Sequence, residues 1–137
     1  MPYLRLLETP ARELAPQYTE DEYRAMQRAF IGLAQKWQIE DREAAILMGD
    51  ISERTFRRWK AGELGRPAVD IAARLSNLMG IHKALRLLFR EPERGYAWIR
   101  RPNDAFSGRS ALDIMLDGQL TDLMRVRRYL DAQRSAW

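Results

Sequence analysis

Apolar residues in this chain recur at spacings of three and four, and no segment alternates convincingly with a period of two, so the pattern predicts helices. Tyr23, Met26, Phe30, Leu33 and Trp37 mark a first helix, opened by Thr19-x-x-Glu22, where hydroxyl and carboxylate would each satisfy an orphan backbone N–H. Asp41 is the expected cap of a short second helix through Met48, closed by Gly49. After the link Gly49-Asp50-Ile51, Ser52 should cap a third helix that runs to Ala61 and stops at Gly62. Pro67 reads as the first residue of a long fourth helix with the apolar stripe Ile71, Leu75, Leu78, His82, Leu85 and Phe89, ended by Pro92. Tyr96, Trp98 and Ile99 fall in a short helix or turn before a break at Arg101-Pro102-Asn103. Phe106 and Gly108 lie in the loop that follows. Ser110-x-x-Asp113 opens a further short helix, Gly118 stops it, and a last helix carries Leu120, Leu123, Met124 and Leu130.

The expected fold is therefore all-α, without internal repeats: an N-terminal helix-turn-helix subdomain and a C-terminal helical subdomain sharing a long central helix. Residues 1–18, with three prolines and no periodicity, are expected to form an arm; 19–66 the helix-turn-helix unit; and 67–137 the C-terminal unit.

Composition narrows the function classes. With 137 residues, 46% hydrophobic and 31% charged, the chain suits one packed core. Its net charge of +4 is modest, but its distribution is uneven: Glu8, Glu13, Glu20, Asp21 and Glu22 crowd the N-terminal part, while arginine recurs from Arg54 onward. Cysteine is absent, which excludes disulfides and thiolate chemistry. No run approaches a membrane span and no signal pattern opens the chain, so a cytoplasmic location is expected. The only histidine, His82, sits on an apolar stripe, where a packed residue is the commoner outcome than a base or ligand. No metal-ligand spacing, P-loop or dinucleotide fingerprint occurs, and acid pairs such as Glu40/Asp41 fall at helix starts. No catalysis, cofactor or metal is expected.

The stretch "DISERTFRRWK", Asp50 to Lys60, carries the sharper signal. As a helix it points Phe56 and Trp59 to one face and leaves Arg54, Thr55, Arg57, Arg58 and Lys60 around the rest. A bare basic amphipathic helix would look the same, but the preceding short helix and glycine turn favour a helix that reads DNA, with arginine's planar fork suited to guanine. "EAAILMGDISERTFRRWKAG" resembles the helix-turn-helix of Xre-type regulators through Ala45, Gly49, Ser52, Thr55, Phe56 and Trp59. It departs in one place: Asp50 and Ile51 both stand between Gly49 and Ser52, where the family usually has one apolar residue.

The second half, "WIRRPNDAFSGRSALDIMLDGQLTDLMRVRRYL", is similar to the toxin-binding domain of Xre/MbcA/ParS antitoxins through Trp98, Pro102-Asn103, Phe106, Gly108, Ser110, Leu112 and Gly118, with Ala111 where that family often has proline. The resemblance implies an antitoxin that neutralises a RES-domain toxin consuming NAD, that binds its own operator DNA, and that has no active site. It further implies toxin contacts at Trp98, Arg100, Asn103, Phe106 and Arg109, part of which should belong to the core. The tail through Arg134 and Trp137 either ends as a solvated helix or enters the toxin's cleft. A homodimer follows from the two-fold logic of operators. The rival readings are a stand-alone repressor without a toxin, and an interaction module whose lengthened turn has cost it DNA binding.

Overall fold

A computed structural model describes residues 18–49 and 51–136, so Asp50, Trp137 and all but the last residue of the expected N-terminal arm lie outside the described residues. Among those described are seven α-helices and one 3-10 turn: α1 (Glu20–Lys36), α2 (Asp41–Leu47), α3 (Glu53–Lys60), α4 (Val69–Leu88), α5 (Pro92–Trp98), the 3-10 turn Asp104–Phe106, α6 (Ala111–Met115) and α7 (Leu120–Ser135). The all-α reading holds.

Five of the seven α-helices start where a side chain can meet their orphan amides; α4 and α5 have no such cap. The Glu22 amide donates to Thr19 Oγ1 at 3.2 Å while the Thr19 amide donates to Glu22 Oε1 at 2.9 Å, a complete capping box. Ser52 Oγ accepts from the Thr55 amide at 3.1 Å, and Ser110 Oγ from the Asp113 amide at 3.0 Å. Two expected starts shift. Glu40, not Asp41, precedes α2, and its amide donates to Glu43 Oε1 at 2.9 Å. The reason is spacing: Glu43 stands three residues after Glu40, whereas the residue three after Asp41 is Ala44, which offers no carboxylate. The long helix begins at Val69 rather than Pro67. Gln27, wholly buried on α1, donates from Nε2 to the Leu64 carbonyl at 2.7 Å, and so holds the preceding loop extended across α1 until Ala68.

The α4 helix packs against α1, α5 and α7, so one continuous core joins both halves. Phe30, Leu33, Trp37, Leu47, Phe56 and Trp59 come from the N-terminal side, and Ile99, Phe106, Ile114, Met115, Leu123, Val126 and Leu130 from the C-terminal side. They meet on Leu75, Leu78, Ile81 and Leu85. The expected α4 stripe included His82 and omitted Ile81 and Ala84. Both omitted residues are fully buried, whereas His82 is only partly covered and stacks on Tyr96 with centroids 6.5 Å apart. On α7 the apolar residue that turns outward is Met124, 37% exposed, because Leu123, Val126 and Leu130 fill the inward stripe. Gly95 lets α5 press onto α4, where a Cβ would meet that of Leu85 at 3.3 Å.

Candidate functional site

Helix α3 is anchored by its apolar pair. Phe56 and Trp59 are buried, Phe56 meeting Phe30 of α1 edge-on at 5.7 Å, and this fixes which face looks outward. Arg54, Arg57 and Arg58 occupy that outer face. Arg57 pairs loosely with Glu53 at 3.4 Å and Arg58 with Glu63 at 4.0 Å, both largely solvated, while Arg54 pairs with no carboxylate among the described residues. Contacts of this kind are worth little and are readily exchanged for phosphates. Two of the expected readers are already engaged. The Thr55 hydroxyl lies 3.1 Å from Ser52 Oγ at the helix start, and the Lys60 ammonium pairs with Asp41 of α2 and sits 5.6 Å above the Phe56 ring. Lys60 thus staples α3 to α2.

Beneath the turn between these helices lies a residue that the apolar pattern does not reveal. Arg74 of α4 is 7% exposed; its Nε donates to Asp70 Oδ2 at 2.8 Å and its Nη1 to the Leu47 carbonyl at 3.2 Å. That carbonyl is one of those α2 leaves without an intrahelical partner, and a cation there also suits the helix dipole. Gly49, at φ +86°, lies against the guanidinium: a Cβ would stand 2.8 Å from it. Only glycine accommodates both the left-handed turn and the buried arginine.

Of the residues expected to touch a toxin, Trp98, Asn103, Phe106 and Arg109 gather around the 99–110 loop and the middle of α7, while Arg100 turns toward the end of α1 and Arg134 stands near the far end of α7, and most do structural work. Phe106 is 2% exposed, edge-on to Tyr129 at 5.2 Å and beneath Arg125 at 5.3 Å, so its ring packs in the core. Trp98 is partly buried and stacks on Tyr129 at 6.0 Å. Asn103 caps the 3-10 turn, its Oδ1 accepting from the Ala105 amide at 2.9 Å, and its amide and carbonyl close the loop on Arg109 and Gly108. Arg100 reaches back to α1, donating to the Trp37 and Gln38 carbonyls at 2.7 and 2.8 Å. Arg109 grips both carboxylate oxygens of Asp117 at 2.9 Å and the Asp113 carbonyl at 2.9 Å. That fork, through its hydrogen bonds first, holds the Asp117 carboxyl below its usual range. Arg134 is exposed on α7, 3.7 Å from Asp131, and Trp137 lies outside the described residues. Ala111, where proline is usual, is buried at the first position of α6, and the helix forms regardless.

Two family models match in sequence order. Residues 17–80 match the antitoxin Xre-like helix-turn-helix domain, and residues 84–135 match the antitoxin Xre/MbcA/ParS C-terminal toxin-binding domain. The chain belongs to the Xre/MbcA/ParS antitoxins. Uncharacterized protein y4oB of Sinorhizobium fredii is similar throughout, 44% identical over 125 residues that span 91% of this antitoxin and 96% of the relative.

In this antitoxin the arginine-bearing face of α3 lies within the helix-turn-helix match, and the loop and α7 lie within the toxin-binding match. No helix among the described residues is long and apolar enough to cross a membrane, and no group of three or more histidines or acids among them could hold a metal. Arg74 was hidden from pattern reading because it interrupts an apolar stripe; its signal is Asp70 one turn earlier, at the spacing of a helical ion pair.

Proposed function

We propose that this antitoxin neutralises a RES-domain toxin that consumes NAD, by ADP-ribosyl transfer or NAD breakdown, and blocks that toxin's active site through its C-terminal half. It acts in the cytoplasm and has no catalytic activity or cofactor of its own. As a homodimer it represses its operon, with Arg54, Thr55, Arg57 and Arg58 of α3 at the operator and Lys60 holding α3 in place. Trp98, Arg100, Asn103 and Arg109 shape the toxin-facing region, and the tail with Arg134 and Trp137 approaches the toxin's cleft.

The observation that carries this reading is the division of labour on one core. An α3 face with three exposed arginines stands at one end of α4, while the toxin-binding domain packs along the rest of the same helix. The test is co-expression with the adjacent gene's product, followed by pull-down and an NAD-consumption assay. Capture with loss of NAD consumption supports the reading; no capture, with DNA binding retained, leaves a stand-alone repressor instead.

A further inference from the structure

Helices α4 and α7 leave an open groove of about 430 Å³ between them, lined by Gly80, Lys83, Arg127, Asp131, Arg134 and Ser135. Its floor is Gly80, in the middle of α4, where glycine is disfavoured relative to alanine. The reason for a glycine lies across the groove: a Cβ there would stand 2.5 Å from the Arg127 guanidinium, which lies against the α4 backbone. Three cations thus face one carboxylate. Asp131 is shared between Arg127 at 3.8 Å and Arg134 at 3.7 Å, too far for a hydrogen bond to either, and the remaining contact of Arg127, to Asn77 Oδ1, is 3.5 Å long.

The contrast with other arginines of this chain is direct. Arg74 and Arg109 spend their donors on carboxylates at 2.8 and 2.9 Å. Arg127 and Arg134 keep theirs, aimed into a concave site with Lys83, and a guanidinium with free donors is suited to a planar oxyanion.

We propose that this groove receives an acidic segment of the toxin, whose carboxylates pair with Arg127, Arg134 and Lys83. The inference rests on the toxin-binding reading above and names the chemistry of the partner. Carboxylates of a protein fit better than DNA phosphates because of position. Lys83 stands about 18 Å further along α4 than Ile71, beside which α3 sits, at 1.5 Å per residue. Four of the six lining residues also fall within the toxin-binding match.

Three proteins test it: the wild-type chain, Gly80→Ala, and Lys83→Glu with Arg134→Glu, each titrated against the adjacent gene's product and against promoter DNA. Gly80→Ala adds one methyl where the guanidinium lies while improving helix propensity. It should therefore keep or raise the melting temperature and yet weaken toxin capture about tenfold, the double variant at least as much, with DNA affinity unchanged. Wild-type capture matched by both variants overturns the groove assignment alone. Loss of DNA affinity with toxin capture intact overturns it too, in favour of phosphates. A wild-type chain that captures no RES-domain toxin overturns the functional reading, and the groove assignment with it.

Discussion

Arg74 is where one side chain decides most. It is a charge placed among apolar neighbours, tolerated because Asp70 and the Leu47 carbonyl accept hydrogen bonds from its guanidinium. Arg74→Met keeps the volume but leaves that carbonyl without a partner, and should cost about 2 kcal/mol in chemical denaturation. His82 gives a pH prediction. Burial first, then the charges of Arg86 and Lys36, hold its imidazole below the ordinary 6.5, so the folded chain favours the neutral ring. Below about pH 6.5 the unfolded chain takes up a proton that the folded chain refuses; stability is full above that value and declines as the pH falls toward the lowered folded value. In His82→Phe, melting temperatures measured from pH 7.5 to 5 should lose that part of their slope. At this scale the sequence was least informative. Both Gln27 and Arg74 look like surface residues by type, and only the fold reveals the carbonyls of Leu64 and Leu47 that they serve.

Elements were more legible, because capping and apolar spacing are local. Thr19, Ser52 and Ser110 each sit where their hydroxyls cap a helix, and Phe56 and Trp59 turn α3 so that its arginines face out. What misled was tertiary override: the Gln27 link delays α4 past Pro67, and α7 turns Met124 outward in favour of Val126. The outward arginines of α3 make a prediction at this scale. Arg54→Ala or Arg57→Ala should each lower the slope of log affinity against log salt by about one in a mobility-shift series on promoter DNA. Lys60→Ala, by contrast, should act chiefly on stability, since its ammonium is already committed to Asp41. The 99–110 loop shows how far a site can be read from residue type. Asn103 and Arg109 stand out by residue type, and their visible roles are a turn cap and a fork onto Asp117 that closes the loop onto the α6–α7 link.

For the whole molecule the consequence of a shared core is cooperativity. Phe106 of the C-terminal half and Phe56 of the N-terminal half belong to one cluster joined through α4, so the halves should unfold together. Phe106→Ala, which empties the space against Tyr129, should cost about 3 to 5 kcal/mol and lower the melting of both halves in one transition, seen as coincident far-UV and tryptophan signals. The same rigidity gives α4 its place in function, since it carries the Arg74 clasp under the helix-turn-helix at one end and Gly80 and Lys83 beside α7 toward the other. The central claim, neutralisation of an NAD-consuming toxin, is tested most directly by the rate of NAD loss in the presence of the adjacent gene's product as this chain is titrated in. The account predicts a fall to background at a fixed stoichiometry; an NAD-consumption rate unchanged by saturating antitoxin would contradict it.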